Sequence, residues 1–193
     1  MLHEVKNAVK KVLAFFGLYH PSLGIKIHPP KKASVILEYK TPALRIFVET
    51  GTEFGTMINM IGDKFEKVYS IELNTELFEK AKELYKGNEK IQLLHGDSAN
   101  EIKKVLTELQ EPAIFWLDAH GPGDMSFDNS SHCPAEKELE AIFGHAIKRH
   151  VILIDDARKF DLKSIARIKS LAKANGYACT IKDGLFRLFP EQN

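Results

Sequence analysis

The chain has few cysteines, a single tryptophan and no excess of either charge, and each shortage removes a class of explanation. Its two cysteines, Cys133 and Cys179, stand in no CxxC or Cys/His cluster, so neither a disulfide framework nor a zinc site is expected. A reduced cytoplasm is the expected setting. Lysine plus arginine number 27 against 26 aspartates plus glutamates, so no overall field draws the chain to nucleic acid or to an anionic membrane. No nucleic-acid or membrane partner is expected, and a homo-oligomer is left open. No apolar run reaches the ~18 residues of a membrane span. The opening stretch MLHEVKNAVKKVLAFFGLY lacks the continuous apolar core and small-residue cleavage site of a signal peptide. Also missing are internal repeats, low-complexity tracts and a recognisable interdomain linker. What is present, 193 residues with 44% hydrophobic and 27% charged, suits one globular domain over residues 1–193.

Short β-branched apolar runs alternate with longer stretches of helical periodicity, the pattern of parallel strands joined by crossover helices. Strands are expected at 44–49, 67–72, 90–95, 113–118 and 150–155, several of them nearly continuous in apolar residues, as strands covered on both faces are. Helices are expected at 56–63, 75–85, 99–109, 135–147 and 162–174, with Thr75, Ser98 and Asp161 as N-caps. Asn175-Gly176 reads as a C-cap, and YACTIKDGLFRLFP as two strands turning at Asp183-Gly184 and closing one edge. The fold expected is α/β and doubly wound: a mostly parallel seven-stranded Rossmann-like sheet with an antiparallel C-terminal hairpin and helices on both faces. Ahead of this core, residues 1–43 read as one amphipathic helix, with Val5, Val9, Val12, Leu13 and Phe16 as its stripe, followed by a loop around HPSLGIKIHPPKK.

At the end of the first strand stands ETGTEFG. In open α/β sheets ligands bind beyond the carboxyl ends of the strands, where the first strand-to-helix turn offers free backbone N–H groups. Gly51 can take dihedrals other residues avoid and lets a ligand approach the backbone, while Gly55 lets the helix start close against the strand. A glycine pair by itself is equally a tight turn with no ligand. The other strand ends add weight, because each carries an acid: Glu72 about 20 residues beyond the glycines, Asp97 in HGDS, Asp118 in FWLDAH, and Asp155 with Asp156 in ILIDDAR. Carboxylates gathered at the mouth of a sheet repel one another unless something positive sits among them. Singly, each has a structural alternative: Asp97 as a helix cap, Glu72 as a solvated acid, Asp155-Asp156 as turn formers.

With these residues the chain, from roughly Leu44 to Pro190, resembles the class I S-adenosylmethionine (SAM)-dependent methyltransferases. ETGTEFG is similar to their motif I. The resemblance implies that Glu49, Gly51, Thr52 and Gly55 form the turn at the methionyl end of SAM, that Glu72 holds the ribose, and that Asp97 with Ser98 lies by the adenine amino group. Glu53 stands where many members keep a glycine, which implies a wider turn. The hairpin ending and GDS disfavour a Rossmann dehydrogenase.

LDAH and IDDAR are similar to the metal-binding strand ends of magnesium-dependent O-methyltransferases of the macrocin and catechol types. That resemblance implies a Mg2+ site at Asp118, Asp155 and Asp156. A hard divalent cation takes oxygen ligands and lowers the pKa of a bound hydroxyl. Catechol-type enzymes carry a lysine base three residues after the first of these acids, where this chain has Gly121, and the base is left open. His120 is the candidate, as catalytic base or metal neighbour beside Asp118, against the plainer reading of a loop histidine. The loop GPGDMSFDNSSHCP is long enough to be a substrate wall, and Arg158, Lys159 and His132 are candidate contacts to an acidic or sugar-like substrate. Two alternatives to a metal-assisted O-methyltransferase stand: a metal-independent methyltransferase for another acceptor, and a non-catalytic module that binds SAM or a nucleotide.

Overall fold

A computed structural model describes residues 29–119 and 134–191. The amphipathic helix expected near the N-terminus, His120, and the loop residues 121–133 with His132 and Cys133 lie outside the described residues.

Helix α1 (Pro29–Glu38) comes first, then β1 (Ile46–Thr50), α2 (Thr56–Ile61), β2 (Lys67–Glu72), α3 (Thr75–Leu84), β3 (Ile91–His95), α4 (Ser98–Glu108) and β4 (Ala113–Leu117). Then follow α5 (Pro134–Gly144), β5 (Val151–Ile154), α6 (Leu162–Ala174), β6 (Tyr177–Lys182) and β7 (Leu185–Pro190). The seven strands form one sheet in the order β3-β2-β1-β4-β5-β7-β6. β1 to β5 are mutually parallel, and β7 runs antiparallel to both β5 and β6. The expected doubly wound sheet with its antiparallel hairpin is therefore the fold observed.

The central strands are rich in apolar residues because both faces are covered. Along β1, β4 and β5 every residue is buried, and successive side chains enter opposite cores. Ile46, Val48, Phe115, Leu117 and Ile152 pack with α4, α5 and α6 through Ile102, Leu139 and Ile168. Phe47, Ile114, Trp116 and Leu153 pack on the other side with α1 and α2 through Val35, Ile36, Met57 and Ile61.

Helix α1 was not expected. Its sequence PPKKASVILE opens with two prolines, read from sequence as loop. Proline is well tolerated in a first helical turn, where its missing N–H has no partner to lose and its φ is already helical. The following Ala33, Val35 and Ile36 then bury against the sheet. Two N-caps lie one residue earlier than expected. The Asn74 side chain accepts from Leu77 N and the Asp97 side chain from Ala99 N, leaving Thr75 and Ser98 as the first helical residues. Asp161 caps α6 as expected, accepting from Ser164 N.

Candidate functional site

All the acids singled out in the sequence, with ETGTEFG, lie at the carboxyl edge of the sheet. The turn after β1 is left-handed at three places: Gly51 (φ 86°), Glu53 (φ 47°) and Gly55 (φ 69°). A Cβ on Gly51 would lie 2.6 Å from the Asp118 carbonyl oxygen, so the β1 turn packs directly on the end of β4. At Gly55 the crowding neighbour is the Tyr85 hydroxyl at the end of α3, 2.1 Å from where a Cβ would sit. That hydroxyl donates to the Gly55 carbonyl. Both glycines are thus required by the protein's own packing as well as by their dihedrals, which the sequence reading had assigned to ligand approach and helix–strand packing. Glu53, lacking a glycine's freedom, still takes the left-handed path and presents its N–H to Glu72.

Glu72 links two turns. Its Oε2 accepts from Glu53 N and its Oε1 from Asn74 N, each at 2.8 Å. Backbone donors stabilise the carboxylate yet leave each oxygen further lone pairs for a ligand. Beneath it, the Ser70 hydroxyl donates to Glu49 Oε1 at 2.6 Å and lies 2.6 Å from the Thr52 hydroxyl. Thr52 and Glu49 are buried, so their side chains support the turn from below. Burial pushes the Glu49 carboxyl up to about 8, with Asp118 and Glu72 adding to it and the Ser70 hydrogen bond opposing. Asp97 fills the role its structural alternative named: besides capping α4, its Oδ2 accepts from Asn100 Nδ2. Its side chain is exposed, and Ser98 is buried.

Across the β1 turn, Asp118 follows β4, and Asp155 and Asp156 follow β5. Rungs from Asp118 N to Thr50 O and from Asp155 N to Leu117 O align these strand ends. The three carboxylates offer oxygens that all lie within 4.8 Å of one another. Asp156 has a left-handed φ of 52°, and its N–H donates to Asp155 Oδ1.

The sequence showed no compensation for this concentration of charge, and there the reading needs correction. Lys32 from α1 hydrogen-bonds Asp155 Oδ2 and lies 3.6 Å from Asp118 Oδ2, while Lys159 pairs with Asp156. Burial works against the Lys32 ammonium, but Asp118 and Asp155 outweigh it and raise its pKa, so it stays charged. Burial and then Asp118 push the Asp155 carboxyl up, against the pull of Lys32. The lysine comes from 123 positions away, within a stretch expected to be loop, and no local spacing pointed to it. The one signal in the sequence was the demand for a positive charge among the acids.

No protein-family model and no curated protein sequence matches the chain. Solved structures do. A candidate caffeoyl-CoA O-methyltransferase from Staphylococcus aureus superposes with a TM-score of 0.62 at 16% identity, covering 98% of this chain and 96% of that one. An O-methyltransferase from Bacillus cereus in complex with S-adenosylhomocysteine (SAH) gives 0.61 at 16% identity, covering 96% and 90%. The SAM-bound amino pentose methyltransferase of calicheamicin biosynthesis from Micromonospora echinaspora gives 0.56 at 12% identity, covering 83% and 89%. At these identities the likeness is one of fold, that of the Rossmann-like methyltransferases.

Proposed function

We propose that this chain is a SAM-dependent methyltransferase that methylates a hydroxyl of a small molecule or sugar with the help of a divalent cation, acting in the cytoplasm. The observation that carries the reading is Glu72. It is a buried carboxylate at the end of β2, held by one backbone N–H of the β1 turn, from Glu53, and one of its own turn, from Asn74, and keeps acceptor capacity for a pair of vicinal hydroxyls. The same fold in SAM-bound and SAH-bound methyltransferases supports it.

In this reading Glu72 binds the ribose, the turn at Gly51 and Thr52 carries the methionyl end, and exposed Asp97 reaches the adenine amino group. Asp118, Asp155 and Asp156 fit a hard divalent cation by donor type and by their approach within 4.8 Å. SAM supplies a methyl group on a sulfonium, and a bound cation supplies a Lewis acid that favours ionisation of a nearby hydroxyl. His120 is the base we propose to take the acceptor's proton. Glu49, kept neutral by burial, adds no further negative charge to the mouth at neutral pH.

A second reading, a metal-independent methyltransferase, is favoured by Lys32 standing among the carboxylates. Incubating the purified protein with SAM and a panel of hydroxylated acceptors, and following SAH by mass spectrometry, tests the proposal. SAH formation that chelation abolishes and Mg2+ restores, and that Asp118→Ala or Asp155→Asn removes, is the result expected. Turnover indifferent to chelator supports the second reading, and SAM binding without turnover on any acceptor sinks the enzymatic one.

A further inference from the structure

Both oxygens of Asp155, which would help hold a divalent cation, are already in use. Asp155 Oδ1 accepts the Asp156 N–H, and its Oδ2 holds Lys32, whose ammonium also faces Asp118 Oδ2 at 3.6 Å. The same ammonium lies 5.7 Å from the centre of the Trp116 ring. It is placed there by a helix secured on its own account. Lys31 pairs with Asp183 at 3.0 Å, and Glu38 pairs with Arg187, itself paired with Asp183, at 3.2 Å each. Ala33, Val35 and Ile36 are buried beneath. The backbone of α1 therefore does not depend on the Lys32 contact, and the lysine's flexible stem can turn away while the helix stays docked.

A dication at Asp118 and Asp155 and an ammonium on the same two carboxylates would be like charges a few ångströms apart, a repulsion large in a partly buried site. We propose that Lys32 is the resident cation of the acidic mouth, and that its ammonium and a divalent cation exclude one another. This rests on the metal reading above and adds to it a residue that sets how readily the metal enters. Without metal, Lys32 offsets part of the charge of Asp118 and Asp155, and metal loading releases the lysine from Asp155 without undocking α1.

The test is Mn2+ binding to the full chain, followed by electron paramagnetic resonance in the absence of SAM and acceptor. Lys32→Met is expected to bind Mn2+ about tenfold or more tightly than the wild type. Lys32→Arg keeps the charge and is expected to bind as weakly as wild type, and Lys32→Met combined with Asp155→Asn should lose the gain. Should Lys32→Met fold only with Mn2+ present, seen as a metal-dependent melting transition, that is the same exclusion read as stability. A measurement on the unaltered protein complements it: acetylation of Lys32, located by mass spectrometry, should rise several-fold when Mn2+ is added. Equal Mn2+ affinity in wild type and Lys32→Met, or unchanged Lys32 acetylation under saturating Mn2+, overturns the exclusion and leaves the metal reading intact. No binding to either protein overturns the metal reading and the exclusion with it.

Discussion

The two sides of the β1 turn hold their acids by different means. On the β2 side, Glu72 is satisfied by backbone N–H groups within 19 residues of it. On the β4 and β5 side, Asp155 takes one backbone N–H, from Asp156, and for its other oxygen a lysine from a helix 123 positions earlier. Backbone donors are fixed in place and bring no charge of their own, and they leave each Glu72 oxygen a further lone pair. A lysine brings a charge of its own, so under the exclusion proposed above Asp155 becomes available to a divalent cation only by exchange. In the reading proposed above one side binds and the other trades, and each part of that contrast can be tested.

The largest effect is expected where the sides meet. Gly51 has φ of 86°, and a Cβ there would lie 2.6 Å from backbone at Asp118 that cannot swing aside. Gly51→Ala should destabilise the fold by about 3 kcal/mol or more in urea denaturation. A loss below about 1 kcal/mol would mean that the two sides are not tightly joined.

Glu49 lies beneath both sides, its pKa raised by burial and then by Asp118 and Glu72. Folded, it keeps its proton up to about pH 8, whereas the ordinary value in the unfolded chain is 4.5. The unfolded chain therefore binds fewer protons between these values, and the stability present below pH 4.5 is lost as pH rises through 8. Glu49→Gln removes that dependence. Above pH 8 it should exceed wild type by an amount on the order of 2–4 kcal/mol, the two converging near pH 4.5. Parallel stability curves across that range would show that Glu49 is not held neutral.

Next comes the asymmetry in cofactor binding. Glu72→Ala should weaken SAM by ~1–3 kcal/mol in calorimetric titration, the range of hydrogen bonds to a charged group. Asp155→Asn should leave SAM affinity nearly unchanged. Equal losses would erase the distinction between the sides, and an unchanged Glu72→Ala in a folded protein would remove the ribose assignment.

The same contrast explains what the sequence disclosed. The strands and the Asp183-Gly184 hairpin were legible because apolar runs and turn residues act through near neighbours, and all the acids were legible because each ends a strand. The partners of Glu72 were not named from sequence, but both, Glu53 N and Asn74 N, belong to turns at the same edge of the sheet. Lys32 was not legible: its contacts depend on where α1 packs, and α1 was hidden behind Pro29 and Pro30, which read as loop. Tyr85 was missed for a related reason, since only the packed fold brings the end of α3 against Gly55. The shift of two caps by one residue came from preferring Thr75 and Ser98 over Asn74 and Asp97, although all four are residue types that cap helices.

The smallest expected effect separates two roles of Asp97. Its side chain accepts from Ala99 N and Asn100 Nδ2, so Asp97→Ala should cost about 1 kcal/mol of stability through the lost cap. It should also weaken SAM, by less than Glu72→Ala, because an exposed carboxylate is screened by solvent. Asparagine caps helices about as well as aspartate, so Asp97→Asn should restore the stability. It carries no charge and puts an NH2 donor where aspartate has its second oxygen, so SAM affinity should stay reduced. Thermal melts and calorimetry on the two variants read these effects separately. Wild-type affinity in Asp97→Asn would make Asp97 a helix cap alone, with the β2 side binding SAM through Glu72 and the β1 turn.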